Sequence, residues 1–201
     1  MRIRAASGDD RDALYEICRR TGDAGNDATA LLTHGELYGH VYAGAYLELE
    51  PQLAQVTEVD DPVVDDRVVG YLVGALDTRA FDDRCEARWW PDLRARYPLP
   101  GDGTDLDRRL VREIHHPFRM PATLLARYPS HLHINLLPVG QGLGAGRALM
   151  TSLFDQLRAA GSPGVHLGVD PRNTRAIGFY EHLGMTRHDP DGAVLFTLRL
   201  T

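Results

Sequence analysis

Residues Leu136 to Leu149 read LLPVGQGLGAGRAL. Four glycines in seven residues (Gly140, Gly142, Gly144 and Gly146) separate an apolar, strand-like run from a segment that continues RALMTSLFDQLRAAG. In that segment Leu149, Leu153 and Leu157 repeat at helical spacing, and Gly161 ends it. A strand, a glycine turn and a helix start make an anion site. The first helical N–H groups have no partner inside the helix, and the positive end of the helix dipole lies there. Glycine allows the backbone positive φ and close approach to a ligand. A phosphate-bearing ligand therefore fits this turn better than no ligand at all.

Three such ligands can be weighed. A nucleoside triphosphate loop would end in Gly-Lys-Ser/Thr, whereas here Arg147 follows Gly146 and no hydroxyl is available for a metal. A dinucleotide loop is met in form, since Gly140 to Ala145 satisfies G-x-G-x-x-A and Asp170 ends the next strand. Too few residues follow the loop to build the rest of a doubly wound sheet, and the region before it reads as antiparallel hairpins. The third ligand is an acyl-coenzyme A, for which Gln141-Gly142-Leu143-Gly144-Ala145-Gly146 matches Q/R-x-x-G-x-G/A.

Further segments extend that third pattern. GVHLGVDPRNTRAIGFYEHLGM (Gly164–Met185) carries Asn173, Ala176, Phe179, Tyr180, Gly184 and Met185 in the register N-x-x-A-x-x-F-Y-x-x-x-G-F/M. On these residues, from about Leu132 to Arg187, the chain resembles the GCN5-related N-acetyltransferase (GNAT) superfamily. YAGAYLELEP, VVGYLVGALDTRAF, HPF and RYPSHLHINLLP resemble bacterial relatives of the acetyltransferase-like C-terminal domain of O-GlcNAcase. The resemblance implies an α+β, three-layer fold. Its central sheet is mixed and mostly antiparallel, with about seven strands; strands 4 and 5 are parallel and splayed, and helices cover both faces.

The resemblance also implies acetyl-CoA as cosubstrate and direct transfer to an amine in a ternary complex. Leu136, Leu137 and Pro138 would run beside the pantetheine arm. Gln141, Gly142, Leu143, Gly144, Ala145, Gly146 and Arg147 would hold the pyrophosphate. Asn173, Ala176, Phe179 and Tyr180 would line the coenzyme from the following helix, with Tyr180 as general acid. Asn173 is also a good helix N-cap. The strand-4 position that holds Glu in some relatives is Ser130 here. His131 and His133 share a strand face by alternation, and His titrates near neutrality. Either could serve as base, His133 being the one carried forward, and Asp77 at a strand end is another candidate, as base or as counter-charge to the amine. A coenzyme-binding or interaction module without turnover is the alternative function.

The remaining sequence sets bounds. With 201 residues the chain is expected to form one domain over 1–201, with a helical insertion at about 79–128. A net charge of −6 argues against nucleic acid. No run approaches the ~20 apolar residues of a membrane span, and MRIRAASGDD has no signal-peptide core, so a cytoplasmic location is expected. Cys18 and Cys85 read as ordinary thiols. His115 and His116 are not read as a metal set, and no metal is expected. EVDDPVVDD (Glu58–Asp66) reads as a solvated hairpin loop around Pro62. Trp89 and Trp90 read as core cover, with a substrate-facing lid as the alternative. A second helix is expected near Ala28, and a homodimer is compatible with the sequence.

Overall fold

The computed structural model describes residues 1–60 and 67–200. Seven strands form one sheet: β1 (Arg2–Ala5), β2 (Ala54–Val59), β3 (Arg67–Ala75), β4 (Ser130–Leu136), β5 (Gly164–Val169), β6 (Thr186–His188) and β7 (Val194–Arg199). Their order is β1-β2-β3-β4-β5-β7-β6. Every neighbouring pair is antiparallel except β4–β5, which is parallel. That pair stays in register only at Ser130↔Val165 and His131↔His166. Beyond it, β4 remains bonded to β3 as far as Leu136, and β5 to β7 as far as Val169. The two strands part, leaving a gap in the middle of the sheet.

Helices cover both faces. On one lie α1 (Arg11–Arg20), α2 (Leu37–Tyr42), α3 (Gly44–Leu49), α4 (Thr78–Arg88), α5 (Trp90–Arg96) and α6 (Asp105–His115). The short α7 (Ala122–Leu125) leads into β4. On the other face lie α8 (Ala145–Ala159) and α9 (Thr174–His182). Strand alternation on β3 feeds both cores. Tyr71, Val73 and Ala75 pack with Leu14 and Leu110 on the first face. Leu72 packs with Leu132, Leu149, Leu153 and Phe196 on the second. The Leu149–Leu153–Leu157 stripe expected from the sequence is fully buried there.

Two local expectations change, and one strand has no counterpart in the sequence reading. Near Ala28 there is only a 3-10 turn (Thr29–Leu31), and the helices begin at Leu37. Glu58 is not a loop residue. It is buried in β2 and pairs with Arg2 and Arg4, while the turn around Pro62 lies outside the described residues. Strand β6, three exposed residues long, carries no periodic signal.

Asp107 joins the β3–β4 connection to the N-terminal half. Fully buried, its carboxylate accepts N–H bonds from Thr33, His34 and Thr104 and the Thr104 hydroxyl proton, at 2.8–3.1 Å. Burial raises its pKa and these bonds outweigh that, so the pKa lies below the usual carboxylate value. Asp107→Asn turns one accepting oxygen into a donor, facing either the His34 N–H at Oδ1 or the Thr33 and Thr104 N–H groups at Oδ2. Urea denaturation should show a loss of about 2 kcal/mol; an unchanged midpoint would remove this clamp from the account.

Candidate functional site

The gap between β4 and β5 opens onto a cleft of about 660 Å³ bounded by β4, α8 and α9. The glycine loop forms one wall. Gly144, with φ +80°, caps α8, and Gly142 has φ +75°. These left-handed residues turn the chain so that the N–H groups of Gly142 to Arg147 have no acceptor among the described residues. Such a row of free amides at a 15-residue helix start is a strong anion cradle. Gly146 lets α8 and α9 approach: a Cβ there would lie 3.1 Å from Phe179 Cζ. Arg147 is exposed with no ion pair among the described residues. Gln141 braces the loop, donating from Nε2 to the Leu136 carbonyl at 2.8 Å and accepting from Arg175. A diphosphate group fits this donor set.

On the opposite wall Asn173 caps α9, its Oδ1 accepting the Ala176 N–H at 3.1 Å, and it also lines the cleft. Tyr180 is 6% exposed, packed between Phe179 and Phe196, with ring centroids 5.4 and 5.3 Å away. Its hydroxyl makes no hydrogen bond among the described residues, and burial pushes its pKa up. Tyr180 lines both this cleft and a cavity of about 340 Å³ on the other side of the gap.

That front cavity adjoins a third, of about 510 Å³, and both are lined by His133. His133 makes no hydrogen bond among the described residues. Tyr42 and Tyr46 pack edge-on against it at 5.5 and 5.6 Å. Burial, and secondarily His166, bring its pKa down to about 4. His131 is committed elsewhere. The Thr78 hydroxyl donates to the Pro129 carbonyl at 2.6 Å and so accepts Nδ1–H of His131 at 2.8 Å; Nε2 then accepts the Tyr46 hydroxyl proton at 2.6 Å. Ser130 is buried on the Leu76 carbonyl and Ser162.

Comparison with known proteins supports the same reading. The model of the acetyltransferase (GNAT) family matches residues 126–185. The crystal structure of a protein called SsHAT is 36% identical, covers 100% of this chain and 98% of that one, and superposes with a TM-score of 0.89. The chain belongs to the GNAT acetyltransferase family. Rat (Rattus norvegicus) O-GlcNAcase is 26% identical over 87% of this chain, which spans only 19% of that much longer protein. The GNAT fold recurs in yncA of Salmonella typhimurium, described as a putative acetyltransferase with its cofactor acetyl-CoA. It is 20% identical, with a TM-score of 0.57 over 100% of this chain and 94% of that one.

Within this GNAT frame the sequence-derived residues separate. Leu136, Gln141, Gly142, Gly144, Ala145, Gly146, Arg147, Asn173, Ala176, Phe179 and Tyr180 all line the one cleft. Leu137 does not: it is buried in the core, its N–H donating to Val69. Pro138 and Leu143 are exposed beside the cleft rather than lining it. Asp77 is removed from the site. It is an exposed N-cap of α4, its Oδ1 accepting the Ala80 N–H at 2.9 Å, and it lines none of the three cavities. Trp89 is core, donating to the His40 carbonyl, while Trp90 lines the 510 Å³ cavity. Cys18 and Cys85 are buried, and their thiols are pushed up to about 12. Among the described residues no group of His, Cys, Asp or Glu is gathered closely enough to hold a metal, and no helix is long and apolar enough to cross a membrane.

Four front-side residues were not among the site residues named from the sequence, although Tyr42 opens the YAGAYLELEP stretch. Tyr42, from α2, donates to Glu113 Oε2 of α6 at 2.6 Å. Arg109, one turn before Glu113, faces the smaller cavity. Asp82 lines the larger, its carboxyl raised to about 6 by burial. Tyr42 and Glu113 lie 71 positions apart in the chain, so only packing joins them.

Proposed function

We propose that this chain transfers the acetyl group of acetyl-CoA directly to an amine, both substrates being bound together. The observation that carries the reading is continuity. The free amides of Gly142–Arg147 share a cleft with Tyr180, and that cleft meets the His133 cavity through the β4–β5 gap. Bound there, the thioester supplies an activated acetyl group. The amine lone pair forms the new C–N bond as the C–S bond breaks. His133, neutral above about pH 4, takes a proton from the amine. Tyr180, kept protonated by burial, gives one to the departing sulfur.

Thermal denaturation with acetyl-CoA, coenzyme A and NAD tests the coenzyme half. At 100 times its dissociation constant a ligand adds about 2.7 kcal/mol, a shift of several degrees. Acetyl-CoA should give that shift and NAD none; the reverse would make this a dinucleotide site. Thiol release in the presence of phenethylamine, spermidine, glucosamine or Nα-acetyl-lysine then tests transfer. All 22 cationic side chains of the chain are arginine, so lysine acetylation of the enzyme itself gives no background. The low basicity of His133 favours one other reading, a coenzyme-binding module without turnover. Stabilisation by acetyl-CoA with no thiol release from any amine would establish that reading instead.

A further inference from the structure

Asn135 lies in the free stretch of β4, two residues beyond His133, and lines both the coenzyme cleft and the smaller front cavity. Its Nδ2 donates to the Tyr71 hydroxyl at 2.7 Å. Tyr71 is fully buried on the neighbouring strand, paired with Asn135 in register, and its hydroxyl also meets Cys18 Sγ at 2.8 Å. Tyr71 lines none of the three cavities. With one Nδ2 N–H held by Tyr71, the amide keeps its second N–H and Oδ1 for the cavity. Oδ1 has no partner among the described residues and can only accept.

Building on the acetyl-transfer reading, we infer that Asn135 Oδ1 is the second acceptor for the N–H groups of the substrate amine, held in place by Tyr71, and that it makes the site selective for primary amines. The spacing supports this. His133 and Asn135 share one strand face, which puts their side chains about 6.6 Å apart. A nitrogen between them, about 3 Å from an acceptor on each side, spans about 6 Å. A primary amine attacking through its lone pair has two N–H groups, one for His133 and one for Asn135. A secondary amine has one, and binding it leaves a polar atom of the site unpaired, the kind of mismatch that rejects a substrate analogue strongly.

The test compares phenethylamine with N-methylphenethylamine, whose phenyl ring suits the cavity lined by Tyr46, Phe81 and Trp90. In wild type the primary amine should be favoured at least tenfold, roughly one hydrogen bond's worth. Asn135→Leu should lower kcat/KM for the primary amine about tenfold and for the secondary amine far less. Asn135→Asp, which keeps an accepting oxygen, should retain the preference. Tyr71→Phe should act in the same direction through KM for the amine and add nothing in the Asn135→Leu background, because Tyr71 acts only through Asn135. If Asn135→Leu leaves the ratio unmoved, or the two substitutions are additive, the inference falls while acetyl transfer stands. If wild type acetylates neither amine yet acetylates another of the panel, the inference again falls alone. If it acetylates none, the transfer reading falls and takes the inference with it.

Discussion

Tyr180→Phe is expected to lower kcat at least about 100-fold with the best amine of the panel, the usual worth of a positioned general acid. Acetyl-CoA should stabilise the variant as it does wild type. The physical reason is specific to this site. The ring is held by Phe179 and Phe196, contacts that Phe can reproduce, so the substitution removes one hydroxyl and little packing. That hydroxyl has no protein partner among the described residues, so its loss leaves no orphaned group in the core. A variant that retains full activity with intact folding would remove Tyr180 from proton transfer. A variant that also loses acetyl-CoA stabilisation would make its role one of coenzyme binding.

Acid should destabilise the fold between about pH 6.5 and 4. The folded pKa of His133 is about 4 against an ordinary 6.5, so the unfolded chain binds a proton in this window that the folded chain refuses. Stability from this group is therefore full above pH 6.5 and is lost on acidification. The loss approaches 3 kcal/mol at pH 4 and is about 2 kcal/mol at pH 5. Burial lowers His131 and His166 as well, and both push the same way. Asp82 opposes them. Its raised carboxyl takes up a proton in the folded state first, returning about 1 kcal/mol by pH 5. Comparing urea unfolding of wild type and His133→Asn at pH 7 and pH 5 isolates the histidine. Wild type should lose about 2 kcal/mol relative to the variant over that interval. A pH-independent difference between them would mean that His133 is not held neutral by the fold.

Much of the coenzyme side was legible in the sequence because its determinants are local. The glycine loop, the α8 stripe of Leu149, Leu153 and Leu157, and the Asn173 cap each act within a turn or two of chain, so spacing alone specifies them. The parting of β4 from β5 came instead from family resemblance, and register along the sheet displays it. Asp77 was misread for a related reason. The end of a strand next to the site and the N-cap of the helix that follows are the same place in sequence, and only the fold says which way a carboxylate turns.

The acceptor side was not legible, because it is assembled from distant segments. Tyr42 and Glu113 meet across two helices, and His131 is tied down by Tyr46 and Thr78 while His133, two residues on, is left free. Alternation puts both histidines on one face with equal claims. The tertiary structure distinguishes them: His131 has a full set of hydrogen bonds, and His133 has none among the described residues. The sequence by itself determined the anion cradle, since glycine stereochemistry and helical periodicity act over a few residues, and its motifs carried the family resemblance that implied the fold. Only the tertiary structure decided which side chains face the gap between β4 and β5, because burial and hydrogen bonding there depend on partners up to 85 positions away.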